Sequence, residues 1–176
     1  IYGTRVTIQH RPLAKLGHTD SMFNLAVSSE LLHNGKLPGE RAELLRVLRP
    51  SGGALALGGL PQSGLAKLIS DSALARGTTA EASGELLLAR RKALDGAGEW
   101  SHTYGSAAQT ANSGDKIVNG GKMALQWFGK PGARGMIDRQ GRNPPPLTSN
   151  GFLYVQGDNR IWGQDAFNGT ILWNYE

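Results

Sequence analysis

The side chains best suited to chemistry stand together at Ser28-Ser29-Glu30. They close a short apolar run, Phe23 to Ser28, that is typical of a strand. Two hydroxyls and a carboxylate at the end of a strand can hydrogen-bond a ligand, and Glu30 can then act as a general base. The alternative is structural, because Ser29 can cap a helix that begins near Glu30 and satisfy its exposed amides. Of the two interpretations, the sequence favours the structural one.

Cysteine and histidine provide no further site. The chain has no Cys, which excludes disulfides, thiolate metal sites and Cys nucleophiles. Its four histidines, His10, His18, His33 and His102, form neither an HxxxH nor an HxH pair, so we predict no metal site. No GxSxG nucleophile elbow occurs. The Gly-Lys pair within residues 33–40 lacks the Ser or Thr that a phosphate-binding loop requires.

The four tryptophans, Trp100, Trp127, Trp162 and Trp173, raise the question of cofactor stacking. The pattern favours packing instead, because a Trp at the end of a strand buries a large apolar area against its neighbours. Asp165 stands just before a turn, so we expect its carboxylate to accept hydrogen bonds from turn amides.

The elements that must position these residues alternate between strand and helix in the first half of the chain. Strands are predicted over 5–10, 23–28, 54–57, 78–82 and 85–89, with helices over 40–49 and 64–75. The Pro50 to Gly53 turn ends the first helix, and Ser83-Gly84 joins the last two strands as a hairpin. This order predicts an α/β fold: a partial Rossmann-like, mainly parallel sheet with covering helices and an antiparallel edge.

The second half changes character after a polar, Gly-containing connector. Strands are predicted over 151–156, 160–165 and 170–175, with a turn at Asp158-Asn159 and another at Asn168-Gly169. Three short strands joined by tight turns predict an antiparallel, all-β unit.

Residues 1–92 resemble the C-terminal half of a class I S-adenosylmethionine-dependent methyltransferase. The segments that carry the resemblance are RVTIQH (5–10), FNLAVSSELL (23–32) and LLRVLRPSGGALAL (44–57). In that family the last segment is usually a Leu-rich helix, a Pro-Gly-Gly turn and a central strand, in which the glycines allow a tight reversal. The resemblance implies a Rossmann-like fold and S-adenosylmethionine as the cofactor.

The cofactor-binding positions that this resemblance implies are His10, Arg11, Ser28 and Glu30. The family places an acidic residue near the adenine, just after the strand matched by RVTIQH. Here Pro12 stands at that position, with neither a side-chain acceptor nor a backbone donor. The Gly-rich turn of the first family strand is also missing, and no GxGxxG occurs. S-adenosylmethionine binding would therefore depend on chain upstream of these residues.

Residues 98–176 resemble the start of a β-propeller of the pyrroloquinoline-quinone-binding-like repeat type. The resemblance is carried by GEWSHTYG (98–105) and above all by GFLYVQGDNRIWGQDAFNGTILW (151–173). The structural positions of the repeat are held here by Trp100, Asp165, Gly169 and Trp173. A quinone-dependent dehydrogenase would need a complete propeller, metal-ligating acids and a catalytic Asp. None is identifiable in the sequence, so we do not expect the quinone as a cofactor.

The two resemblances divide the chain into a methyltransferase-like half-domain (1–92), a linker (93–99) and the first segment and blade of a propeller (100–176). We expect the chain to be a fragment of a larger bacterial fusion protein in which neither part is complete. The remainder of the chain, or a protein partner, would complete the sheet and the propeller.

The basic residues behind the formal charge of +5 are scattered along the sequence. Arg90-Arg91-Lys92 forms a basic run without interleaved aromatics, so we predict no nucleic-acid binding. No apolar run approaches the roughly 20 residues of a membrane-spanning helix, so no transmembrane segment is predicted. The compartment stays open between the cell envelope or periplasm, where such propellers are often exported, and the cytoplasm, where S-adenosylmethionine is found.

Two functions follow as hypotheses. The first is a propeller-based binding or scaffold protein with a degenerate methyltransferase-like domain. The alternative is an active methyltransferase whose cofactor motif lies upstream of the first residue. The Pro12 departure and the missing Gly-rich turn favour the first hypothesis.

Overall fold

The computed structural model shows two small sheets and two short helices among the residues that it describes. It describes residues 2, 5–34, 36, 39–58, 77–132, 135 and 144–176. The first-half elements are β1 (Leu25–Ser28), α1 (Glu30–Asn34), α2 (Arg41–Val47), β2 (Ala54–Gly58), β3 (Thr78–Ser83) and β4 (Leu86–Arg91). The second-half elements are β5 (Leu147–Ser149), β6 (Phe152–Gly157), β7 (Arg160–Asp165) and β8 (Ile171–Tyr175).

The first sheet has the strand order β1-β2-β4-β3. Strands β1 and β2 run parallel with Leu25 opposite Ala54, while β4 lies antiparallel to both of its neighbours, β2 and β3. Alternation of helix and strand thus gives one parallel pair with an antiparallel edge, and the β3–β4 hairpin is confirmed. At its turn Gly84 has φ +61°, a conformation that glycine adopts without steric cost.

The core of this sheet lies beneath α2. Leu44 and Leu48 pack with Leu55 and Leu57 of β2 and Leu87 of β4, and all five are buried. A helix of seven residues gains little stability from its own hydrogen bonds, so this apolar contact is what holds α2 in place. The predicted helix and the predicted central strand are therefore confirmed.

The strand predicted over residues 5–10 is wrong. Val6 forms an isolated bridge with Tyr2, and Ile8 is exposed in irregular chain. Within the described part of the chain, no strand pairs with this segment and its apolar side chains are exposed, and β propensity alone does not form a strand. The helix predicted over 64–75 lies outside the described residues.

The second sheet is a four-stranded antiparallel meander in chain order, β5-β6-β7-β8. The three predicted strands are confirmed, and β5 is an addition. It was missed because three residues between Pro146 and Asn150 are too few to show a period. The backbones of Trp100 and Thr148 exchange two hydrogen bonds, of 3.0 and 2.9 Å, which extends the sheet beyond β5.

A charged network fixes the loop before β1 to α2. Arg46 donates to both carboxylate oxygens of Glu43 at 2.7 Å, and it also donates to Asp20. The Leu16 amide donates to Glu43 at 2.8 Å, and Arg46 reaches the His18 carbonyl at 2.8 Å. The hydrogen bonds from Arg46, and then from Leu16, lower the pKa of Glu43 to about 2.

This network makes stability depend on pH. The pKa of Glu43 lies below its ordinary value of 4.5 in the folded chain, so its contribution is full above that value and disappears as the pH falls to about 2. We expect Glu43→Gln to unfold at lower urea than the wild type near neutral pH, and the gap to close between pH 4.5 and 2. Urea unfolding followed by tryptophan fluorescence measures the gap, and a gap unchanged at pH 2 would contradict the assignment.

Candidate functional site

The carboxyl ends of β1 and β2 border an open, mostly apolar crevice of about 310 Å³. It is lined by Val27, Ser28, Ser29, Leu32, Gly58, Glu85 and Leu86. In open sheets with parallel strands, ligands bind at this end, so the crevice is the candidate site of the first sheet. Its lining offers two hydroxyls and one exposed carboxylate among apolar side chains, which is a modest polar set for a nucleotide-sized ligand.

Ser28 and Glu30 come together at this end of the sheet, but their contacts are structural. The Ser28 hydroxyl accepts a hydrogen bond of 3.1 Å from the Glu30 amide, at the first turn of α1. The Glu30 carboxylate accepts one from the Asn34 side chain. Capping was predicted for Ser29, whereas the hydroxyl that does it belongs to Ser28; Ser29 contributes its carbonyl, to the Leu32 amide at 2.9 Å.

His10 and Arg11 lie apart from the crevice. Both are exposed in irregular chain, and neither lines the crevice. The Arg11 guanidinium rests on Gly17, so closely that a β-carbon at that glycine would be 2.0 Å from the Arg11 Nη1 atom. Of the four predicted cofactor-binding residues, the structure thus brings two together and leaves the other two elsewhere.

A buried ion pair joins the two sheets. Arg49 follows α2, and Asp165 ends β7; the Arg49 Nε atom lies 3.1 Å from the Asp165 Oδ2 atom. The Asp165 side chain is fully buried and that of Arg49 is 14% exposed. The Arg49 guanidinium also lies over the Phe152 ring, 5.8 Å from its centroid, at a cation–π distance. The charges attract at low local dielectric, where an ion pair is strong but costly to desolvate.

The pair is not fully hydrogen-bonded within the described residues. Asp165 Oδ2, Arg49 Nη1 and the nearby Gln164 Oε1 are buried without a hydrogen-bond partner. The second oxygen of Asp165 accepts from the Phe167 amide at 2.9 Å, so the predicted bond to a turn amide is confirmed. Asp165 therefore has two structural roles: it shapes the turn before β8, and it receives the cation of the other sheet.

Neighbouring contacts reinforce this junction. The Asn168 side chain donates to the Met22 carbonyl at 3.0 Å and to the Asn24 side chain at 2.5 Å, which links the turn after β7 to the entry of β1. A β-carbon at Gly151 would be 3.2 Å from Ser51 Cβ, so the two turns pack closely. Sequence reasoning missed the junction because its members are far apart along the chain and each is ordinary in its local pattern.

The tryptophans pack against backbone rather than around a common cavity. The Trp173 indole lies over Gly163, where a β-carbon would come within 2.2 Å of the ring, and its centroid is 6.2 Å from that of Tyr154. Trp127 donates to the Ala166 carbonyl at 3.0 Å and covers Gly169, which has φ +73° as its turn position requires. These contacts agree with the packing role predicted for the tryptophans.

Two further features bear on function. Across the described ranges, no group of three or more His, Asp and Glu side chains is placed to hold a metal ion. None of the helices in that part of the chain is long and apolar enough to span a membrane.

Comparison with known proteins gives no match: no family model, curated protein or solved structure is similar to this chain. Both family resemblances therefore stay predictions, carried by the residues that suggested them.

The junction predicts a specific loss of stability. Asp165→Asn keeps the acceptor for the Phe167 amide but leaves the Arg49 charge buried without its partner. We expect a loss of about 3 kcal/mol in the free energy of unfolding, because removing one member of a buried pair strands the other. The matched control is Asp158→Asn in the exposed β6–β7 turn, which should change stability by less than about 0.5 kcal/mol. Urea unfolding measures both, and equal effects would refute the role of the pair.

Proposed function

We propose that this chain is a binding or scaffold protein whose second sheet contacts a protein partner, and that its first sheet does not bind S-adenosylmethionine. The observation that carries the proposal is that the side chains that could bind or react with a ligand instead form hydrogen bonds and ion pairs within the chain. Ser28, which lines the crevice, and Glu30, which lies next to it in α1, make hydrogen bonds within and at the start of that helix. Elsewhere Glu43 and Asp165 pair with arginines that hold the chain together. Catalytic acids and bases are normally left free to exchange protons with a substrate.

The binding surface that we propose is the aromatic face, defined as Tyr154, Ile161, Trp173 and Tyr175. The register places Tyr154 and Trp173 on either side of Gly163, and Ile161 beside Tyr175, on one side of the sheet. Ile161, Trp173 and Tyr175 are exposed. Clustered exposed aromatics mark interaction surfaces, and Trp and Tyr often dominate binding energy there.

The partner proposed for the aromatic face is another β-sheet packed face to face, from the remainder of the chain or from another protein. Four-stranded antiparallel meanders are the units of β-propellers, in which the face of each sheet packs against the next. The opposite end of the same face is already covered, since Arg49 lies over Phe152. An apolar groove of about 240 Å³, lined partly by Pro144, Pro145 and Tyr154, continues the face on the other side.

The alternative function, an active methyltransferase, is favoured by one observation. The crevice lies at the carboxyl ends of a parallel strand pair, where such enzymes hold their cofactor. An upstream segment carrying a Gly-rich turn would have to supply the missing contacts.

Calorimetry separates the two functions. We expect titration of the 176-residue chain with S-adenosylmethionine to give no saturable heat, because the described crevice has a single carboxylate, Glu85, on its exposed rim and otherwise mostly apolar side chains. ATP serves as the control for non-specific nucleoside binding. Saturable binding at micromolar concentration, lost in Ser28→Leu but retained in Ser106→Leu, a half-buried serine outside the crevice, would overturn the proposal and favour the methyltransferase.

A further inference from the structure

On the outer edge of β1, the backbone groups of Leu25 and Val27 have no hydrogen-bond partner among the described residues. Strand β1 pairs with β2 alone, and the Ala54 amide donates to the Asn24 carbonyl. Because backbone groups alternate sides along a strand, Ala26 and Ser28 also direct theirs toward β2. The amides and carbonyls of Leu25 and Val27 then point away from the sheet, and no described residue hydrogen-bonds to them.

This edge lacks the usual protection against pairing. Natural edge strands carry a Lys, a Pro, an inward charge or a bulge that discourages a further strand. The sequence of β1 is LAVS, with a regular register against β2 and none of these devices. The Leu25 and Val27 side chains are also 56% and 69% exposed. The same two residues therefore offer unpaired backbone and exposed apolar surface.

We propose that a second copy of this chain pairs with the edge through its own β1, in an antiparallel and symmetric arrangement. Leu25 would exchange two hydrogen bonds with Val27 of the partner subunit, and Val27 would do the same with Leu25 of the partner subunit. The two-fold axis would pass between the two Ala26 residues. The result is one continuous sheet of eight strands, four from each copy.

The identity of the occupant follows from the strand itself. In an antiparallel pair, the residues that exchange hydrogen bonds lie directly opposite each other. Only a register centred on Ala26 places Leu25 of one copy opposite Val27 of the other, so that all the outward backbone groups of both residues are paired. Ala26 then opposes its own copy, and two methyl groups fit the short separation of a non-hydrogen-bonded pair. Strand β1 has no charged residue, so pairing about the two-fold axis brings no like charges together.

The crevice supports the same register. Opposing residues in an antiparallel pair lie on the same face of the sheet. Leu25 of the partner subunit would therefore lie beside Val27, on the side where Val27, Leu32 and Leu86 line the crevice. Each copy would cover the apolar surface that the other exposes.

A four-residue edge makes a weak dimer. The surface area that such a contact buries is smaller than the roughly 1,200 Å² buried in stable complexes, so we expect the association to be transient. We expect a dissociation constant on the order of 10 µM to 1 mM.

Sedimentation velocity on the 176-residue chain, from 5 µM to 1 mM, tests the proposal. The wild type should shift from monomer to dimer over this range. Val27→Lys places a charge on the edge, and Val27→Pro removes an outward amide without breaking a bond to β2. Both variants should weaken association at least tenfold while the circular dichroism spectrum stays unchanged. Val118→Lys, in an exposed loop, is the matched control and should dimerise like the wild type.

A single engineered thiol tests the register. The chain has no cysteine, so Ala26→Cys provides one thiol at the proposed axis, where the Cα separation suits a disulfide. Mild oxidation should give covalent dimers much faster than in Ala108→Cys, an exposed control. A wild type that stays monomeric at 1 mM, a dimer unaffected by Val27→Lys, or equal cross-linking of the two thiols would overturn the proposal. So would a monomer in which the Leu25 and Val27 amides resist hydrogen exchange, since the edge would then be covered by the chain's own residues.

Discussion

The buried pair of Arg49 and Asp165 is the contact on which the arrangement of the two sheets depends. Arg49 stands between α2 and the Pro50 to Gly53 turn, so any change in its position moves both the helix and β2. Gly53 shows how tight this turn is, because a β-carbon there would be 2.3 Å from the Arg49 carbonyl oxygen. Burial of two charges costs several kcal/mol in desolvation, which their mutual attraction, the Phe167 amide and the Phe152 ring offset. The pair therefore has little tolerance for displacement.

The same pair is part of the argument for the proposed binding function. Carboxylates often act as general bases, and here two of the less exposed ones, Glu43 and Asp165, bind arginines. The crevice at the strand ends keeps a third, Glu85, on an exposed rim among apolar side chains. Apolar surface left open on the second sheet and on the edge of β1 is better suited to contacts with other polypeptide than to proton transfer.

Local sequence patterns predicted those helices and strands whose apolar residues repeat regularly and which pack against another element. Strand β2 and helix α2 were predicted because their apolar spacing matches real burial, and β6 to β8 because glycine and asparagine turns separate them. Residues 5–10 alternate polar and apolar side chains as a half-buried strand does, but no described strand pairs with them, so the pattern misled. Ser28 took the capping role predicted for Ser29, a shift of one residue that only backbone geometry decides.

The junction was beyond any local pattern. Arg49 and Asp165 are each explained locally, one as the end of a helix and the other as a turn residue, and their pairing depends on how two sheets pack. His10 and Arg11 were assigned from a segment whose strand does not form, and they lie apart from the crevice. Ser28 and Glu30 were placed correctly at the end of a strand, although their hydrogen bonds there are structural.

The central claim is that this junction makes the two sheets one cooperative unit. Native-state hydrogen exchange in low urea tests it directly, through the amides of Leu55 in β2 and Trp162 in β7. Coupled sheets expose their amides together, with one opening free energy and one dependence on urea. We predict that the two sheets open together in the wild type and separately in Asp165→Asn. Separate openings already present in the wild type would contradict it.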